Sequence, residues 1–354
     1  MTQHIPLLPL PFEVETKKVL KKAAEAHAAL GELKGICRII PNQVILLETL
    51  PIREAKESSE IENFITSHEE LYKVNHFSED SSEMKEVRNY HTALKSGYWE
   101  VRLGGILSTN IIKKIQEQLE LNTAGFRKLP GTTLTNEQTK EVIYMPPQDY
   151  ETIVCLMSNL EKFINDNEDE IDPLVKMALI HFQFEKIHPF YNGNGRTGRI
   201  INILYLVLRG LLGFPVLYLS RYFIQNKGDY YRFFQEGYEA DRIEAWILFI
   251  LEGIKQTSFK TIILIRDIYN LIENYKYIIK EKLPKLYSRE LVENLFKHPF
   301  TKIEFLQTDL ECSRNTAINY LKKLTDNGFL VRHKIGKGTY YVNKPLFELL
   351  SKSN

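Results

Sequence analysis

Twelve residues near the middle of the chain, His188-Pro-Phe-Tyr-Asn-Gly-Asn-Gly-Arg-Thr-Gly-Arg199, constrain the fold more than any other segment. They separate two of its most apolar stretches. Upstream, Asp172-Pro173 supplies a carboxylate N-cap and a proline at the first helical position. Leu174, Val175, Ala178 and Phe182 then spread apolar side chains around the following helix, the pattern of a buried central element. That helix must stop near Ile187, because Pro189 pushes His188 out of helical geometry. Downstream, a second apolar helix starts near Arg196 and ends at Gly210. In between, Gly193-Asn194-Gly195 lets backbone N–H groups close around an anion with no Cβ in the way. The next helix adds the partial positive charge of its N-terminus. Arg196 and Arg199, spaced i, i+3, share a helix face and set two guanidiniums beside the glycine turn. His188 stands at the loop entrance, where a neutral imidazole can take a proton from an attacking hydroxyl. These parts make a phosphoryl-group transfer site.

Each part alone has a plainer reading: a histidine cap, a Gly-Asn-Gly turn, two solvated arginines. Their coincidence in one short loop between buried helices favours the functional reading. Gly193, Gly195 and Gly198 also fit G-x-G-x-x-G, but the dinucleotide fingerprint needs a preceding strand and an acidic residue about 20 positions later. Here a helix precedes, and Phe214–Tyr218 is apolar, which excludes it.

Helical periodicity dominates elsewhere. Thr16–Leu30 predicts a helix ending near Gly31, and a second starts near Asn42, with Pro51 expected to bend or break it. Phe77–Glu83 is polar and reads as a loop; Arg88–Ser96, Ser108–Glu120 and Asp149–Asn165 read as helices. Arg127–Thr135 and Thr139–Tyr144 flank a polar turn at Asn136–Gln138 and predict a β-hairpin that Met145-Pro-Pro ends. Lys227–Ala240, Ile243–Thr257 and Ile262–Lys282 are read as separate helices. The tail differs. Ser288–Lys297, Lys302–Thr308 and Ser313–Asn327 read as three short helices, followed by strands at Phe329–Lys334 and Thr339–Asn343 around Gly336-Lys-Gly338. That order is a winged helix-turn-helix pattern.

At 354 residues the chain is long enough for two or three domains, and 44% hydrophobic with 26% charged residues is ordinary for a globular protein. Its longest apolar runs, such as Ile200–Leu208, are too short to span a bilayer, and the N-terminus lacks a secretory pattern. Cys37, Cys155 and Cys312 are far apart, which argues against a disulfide framework or zinc site and points to the cytoplasm. Net charge is +1, yet residues 283–354 hold 12 Lys/Arg against 7 Asp/Glu. A basic tail on a mildly acidic body is compatible with nucleic-acid contact, or with a solvated surface.

The loop resembles the signature of the Fic family, HxFx(D/E)GNGRxxR, at His188, Phe190, Gly193, Asn194, Gly195, Arg196 and Arg199. The likeness extends over roughly Ile52 to Gly253, through Phe126-Arg127, Met145-Pro-Pro and Tyr230-Tyr231. It implies a mainly α fold, a helical core with a β-hairpin flap, and AMP transfer from ATP, with Mg²⁺, to a Ser, Thr or Tyr hydroxyl of a target protein or of the chain itself. Removal of AMP, or a DNA-binding regulator whose core only senses nucleotide, are the alternatives. By this resemblance His188 is the general base. Gly193, Asn194 and Gly195 form the phosphate nest, Arg196 and Arg199 hold the triphosphate, and Thr197 and Gly198 lie between them in the ATP site. Tyr230, Tyr231 and Tyr238 fall where the family holds adenine, and the hairpin around Gly131–Tyr144 aligns the target as an added strand. The acidic residue before Gly-Asn-Gly is Asn192 here, which offers Mg²⁺ an oxygen without the charge. Ser58, Glu62 and Asn63 match the inhibitory pattern (S/T)xxxE(G/N), in which the glutamate, here also placed in the ATP site, pairs with Arg199. The plainer reading there is a capping box from Ser59 to Glu62.

The expected organisation is an N-terminal helical region with the inhibitory helix (1–105), a Fic core (106–260), a linker helix (261–282) and a winged helix (283–354). Arg314, Asn315, Asn319, Lys322 and Lys323 on the third helix, with Lys334 and Lys337 on the wing, offer that last unit to DNA or to a protein partner. A membrane partner is not expected, and a homodimer is left open.

Overall fold

The computed structural model describes residues 4–61, 82–135, 142–297, 300–335 and 338–351. The architecture is mainly helical, with two small antiparallel sheets. Helix α1 (Lys17–Ile36) starts at the Thr16 N-cap, whose hydroxyl accepts from Val19 N. It runs through Gly31 and Gly35 rather than ending at Gly31. Val19, Ala23, Ala26, Leu30 and Leu33 are buried, and that packing outweighs the roughly 1 kcal/mol that each glycine costs a helix. Helix α2 (Val44–Ile61) likewise continues through Pro51, so of the expected bend or break the break does not occur. Pro51 is buried in a run of Leu46, Leu47, Leu50, Ile52 and Ala55.

Helix α3 (Ser82–Gly104) takes in Ser82 and Glu83, which the sequence had placed in a loop; residues 77–81 lie outside the described residues. Helix α4 (Thr109–Glu120) begins at a Ser108 side-chain cap. Strands β1 (Leu134–Thr135) and β2 (Val142–Tyr144) pair antiparallel, Leu134 opposite Tyr144, as the hairpin reading required. The turn between them lies outside the described residues. Helix α5 (Tyr150–Asn165) starts on the Asp149 carboxylate and α6 (Pro173–Ile187) on that of Asp172. Then come α7 (Asn194–Leu208), α8 (Ser220–Gln225) and α9 (Lys227–Gln235).

One 43-residue helix, α10 (Ala240–Lys282), replaces the two expected around Thr257 and Ile262. The intervening Ser258-Phe-Lys-Thr261 contains no glycine or proline to break it, and buried residues recur along its length, against α1 and α6 and, toward its end, against the terminal unit. Beyond it lie α11 (Arg289–Lys297), β3 (Phe300–Thr301), α12 (Ile303–Leu310), α13 (Arg314–Asp326), β4 (Val331–Ile335), β5 (Gly338–Val342) and α14 (Lys344–Ser351). β3 and α14 were not legible in the sequence. The sheet order is β3-β5-β4, so β5 is central. Tyr275 of α10 is inserted into this terminal unit: its ring meets Phe296 and Phe329 at 5.1 and 5.3 Å, and its hydroxyl donates to Phe329 O or Asn343 Oδ1.

Candidate active site

Both helices flanking the loop are buried, and the loop is fixed by local chemistry at each end. His188 caps α6 in the left-handed region (φ 48°, ψ 59°), with its N–H on Phe184 O at 3.0 Å. That conformation is uncommon for a residue with a side chain. It ends the helix and leaves the imidazole half-buried at the loop entrance. Gly193 (φ 77°) opens α7 in a conformation that favours glycine, and a Cβ there would lie 2.6 Å from Glu120 Oε1 and displace that carboxylate. Asn194 clasps the turn: Phe190 N–H donates to its Oδ1 at 2.9 Å, and its Nδ2 donates to Phe190 O at 2.8 Å. Its side chain thus shapes the loop, leaving anion contact to backbone N–H groups at the α7 N-terminus, a turn free of acidic residues. Phe190 is fully buried against Phe126 and Phe184. Gly198 faces α6, where a Cβ would meet Glu185 Oε1 at 2.5 Å; it serves helix packing, and Thr197 beside it is fully buried.

The two motif arginines diverge. Arg196 reaches Glu120 of α4 at 2.5 Å and Glu86 of α3 at 3.5 Å. Arg199 turns to the last described turn of α2, donating through Nε to Ser58 Oγ and through Nη2 to Ser58 O, each at 2.8 Å. Both guanidiniums are buried. Glu62 and Asn63 lie outside the described residues. One turn before Ser58, Glu54 is fully buried and accepts from Tyr90 Oη (3.1 Å) and Ser220 Oγ (2.5 Å). Burial pushes its carboxyl up to about 8, against the opposing pull of the Ser220 hydrogen bond.

Asn192 is exposed, with its carbonyl accepting from Gln116 Nε2 at 3.3 Å. Among the described residues, no group of three or more His, Cys, Asp or Glu is arranged to hold a metal. Magnesium bound chiefly through nucleotide phosphates needs only one or two protein oxygens. The Asn192 amide fits that minimal role in number of donors, without the negative charge.

The flap side is joined by neutral acceptors. Arg127 Nε donates to His188 O at 2.9 Å, its Nη2 donates to Pro147 O, and its own N–H meets Pro189 O at 2.9 Å. Tyr191 Oη accepts from Lys128 N and Leu129 N at 2.9 and 3.0 Å, and those bonds hold the phenol below its ordinary range. Tyr144, ending β2, donates to Lys186 O at 2.9 Å.

Tyr230 lies in the core, its ring stacked on Phe223 at 4.5 Å and its hydroxyl 3.0 Å from His181 Nε2. Tyr238 donates to Gln183 Oε1 at 2.8 Å. Tyr231 is half-buried, edge-on to Tyr230. The structure therefore brings His188, the glycine turn, both arginines and Ser58 together, and gives Tyr230 and Tyr238 packing partners of their own. Sequence reasoning missed Arg127's bonds, Glu120 and Glu54. Only Glu54 left a local signal, its i, i+4 spacing from Ser58.

The family description Fic/DOC family matches residues 106–206, Fic/DOC family N-terminal matches 20–99, and Protein adenylyltransferase SoFic-like, C-terminal domain, matches 271–346. The chain belongs to the Fic/DOC family. Curated relatives named Protein adenylyltransferase Fic, from Drosophila sechellia and Drosophila melanogaster, are 30% identical over 106 residues, 30% of this chain. The matched stretch spans only 20% of those relatives. A Fic family protein from Desulfovibrio desulfuricans shares the fold at TM-score 0.56 and 18% identity, over 94% of this chain and 97% of that one. Fic-1 from C. elegans aligns at TM-score 0.52 and 17% identity, over 69% and 72% of the two chains. Among the described residues no helix is long and apolar enough to cross a membrane.

Proposed function

We propose that this chain transfers AMP from ATP to a Ser, Thr or Tyr hydroxyl of a protein, and that the end of α2 holds it in a resting state. The observation that carries the reading is the loop itself. His188 stands at the exit of one buried helix, and the N–H groups opening α7 face the same short turn. In the proposed reaction the hydroxyl oxygen bonds to the α-phosphorus, the bond from that phosphorus to the bridging oxygen breaks, and pyrophosphate leaves. His188 accepts the hydroxyl proton. The α7 N-terminus and the two motif arginines meet the phosphate charge. Asn192 would hold magnesium together with the phosphates, and the ion would supply further neutralisation. The names of the Drosophila relatives support the same reaction class.

Ser58 supports the resting state, because its two oxygens engage the guanidinium that the triphosphate needs. Glu62, next along the same segment, is expected to oppose the γ-phosphate. Incubation with α-labelled or γ-labelled ATP, read on wild type, Glu62→Gly and His188→Ala, tests both parts. Label should follow the α-phosphate, rise strongly in Glu62→Gly and vanish in His188→Ala. Transfer of γ-label overturns the reaction, and an unchanged rate in Glu62→Gly overturns the inhibition.

A further inference from the structure

The terminal unit presents a second chemistry, remote in sequence from the loop. Helix α13 starts at the Ser313 cap, whose hydroxyl accepts from Thr316 N at 3.2 Å, and it buries Ala317, Leu321 and Leu324 against the unit's core. Its outer side carries Arg314, Asn315, Ile318, Asn319, Lys322 and Lys323, all exposed. No acidic residue occurs from Arg314 to Lys323. Strand β4 forms the edge of the sheet and exposes Arg332, His333 and Lys334. Among the described residues, the nearby carboxylates include Glu304, which pairs with Arg314 at 3.1 Å, the exposed Glu311 just before the Ser313 cap, and Asp326 at the far end of α13. The cationic character therefore rests on Lys322, Lys323, Arg332 and Lys334.

Edge charges alone can be a device against strand pairing, and they do not account for α13. There, two amides at i, i+4 alternate with an exposed isoleucine and are bracketed by cations. An amide side chain can bond adenine at two points, an exposed aliphatic group meets the thymine methyl, and Lys or Arg meets phosphate. Thirteen residues span about 20 Å, enough to cross a B-form major groove about 12 Å wide. An acidic protein would satisfy the lysines but would leave Asn315 and Asn319 without an assigned partner.

We infer that α13 and β4 form a binding surface for duplex DNA, with α13 laid in the major groove. The proposal is independent of AMP transfer and needs no nucleotide. Four phosphate contacts give a log–log salt slope of about −3.6, so affinity falls about 150-fold over a fourfold rise in salt. The test is fluorescence anisotropy of the full chain with labelled mixed-sequence B-form duplex, from about 50 to 200 mM salt. Lys322→Glu/Lys323→Glu should weaken binding at least about tenfold and halve the slope to about −1.8. Lys17→Glu/Lys21→Glu on α1, with the same change in net charge, should keep it. All substituted positions are exposed, and melting curves check that each variant folds. Duplex RNA is the decisive control, because its deep, narrow major groove does not admit a helix. Three results would overturn the assignment: no binding, equal binding of duplex RNA, or indistinguishable behaviour of the two double variants.

Discussion

The loop from His188 to Arg199 is gripped from two sides, and the two grips differ in chemistry. On the flap side Arg127 directs its donors to backbone carbonyls, and Tyr191 receives two backbone N–H groups. These bonds fix shape: the Arg127 acceptors are carbonyls that do not titrate, and the Tyr191 phenol accepts from neutral amides. On the other side Arg196 faces two carboxylates, Arg199 faces Ser58, and the buried carboxyl of Glu54 lies one turn away. Here Arg196 joins opposite charges, so pH acts on this side, as would the anion of the proposed reaction. Under the proposed function, a site that holds a reacting group still while exchanging phosphate charge needs both kinds of contact.

The largest expected effect comes from removing a cation on each side. Arg196→Met removes the cation that faces Glu120 and Glu86 and should cost about 3–5 kcal/mol in urea unfolding. Arg127→Met, which abandons carbonyls rather than carboxylates, should cost about 3 kcal/mol or less. Protonation at low pH relieves a carboxylate that has lost its cation, so the Arg196→Met deficit should shrink in acid while the Arg127→Met deficit holds. Equal pH dependence would erase the distinction between the sides.

Glu54→Gln sharpens the contrast further. The folded carboxyl is raised from 4.5 to about 8, so the folded state binds the proton more tightly than the unfolded chain. Its contribution is complete below pH 4.5 and declines as pH rises toward 8. The groups facing it are Tyr90, Ser220, Glu57, Arg199 and Tyr218. Across that window the variant should gain on wild type by up to about 1.4 kcal/mol per pH unit. Parallel unfolding curves at several pH values check this, and a constant difference would mean that Glu54 is ionised in the folded protein.

Tyr191→Phe is the gentlest change, since water can replace the lost acceptor at this exposed ring. Stability should drop by less than about 1 kcal/mol. Hydrogen exchange at Lys128 and Leu129 should quicken, with no dependence on salt. Unaltered exchange at both amides would remove Tyr191 from the flap-side grip.

Much of this was legible from the chain alone. Asp149 and Asp172 mark helix starts, Pro189 marks a stop, and Gly193 marks a turn, because capping and backbone sterics act within about four residues. The hairpin followed for the same reason. The C-terminal end of α1 and the continuity of α2 and α10 were not legible, since a glycine, a proline or a polar patch sets only a local penalty. Buried contacts with distant helices override it.

What the sequence determined by itself is the inventory of the loop: a histidine, a glycine turn and two arginines at fixed spacing. Which partners they meet was decided by tertiary structure. Arg199 finds Ser58 across 141 positions and Arg196 finds Glu120 across 76. Periodicity says that a face is buried, never against what, and a charge can be read as paired only after the helices have been placed. Tyr230 shows the same division: the family resemblance suggested a nucleotide contact, and the packing of α6, α9 and α10 gave its hydroxyl to His181.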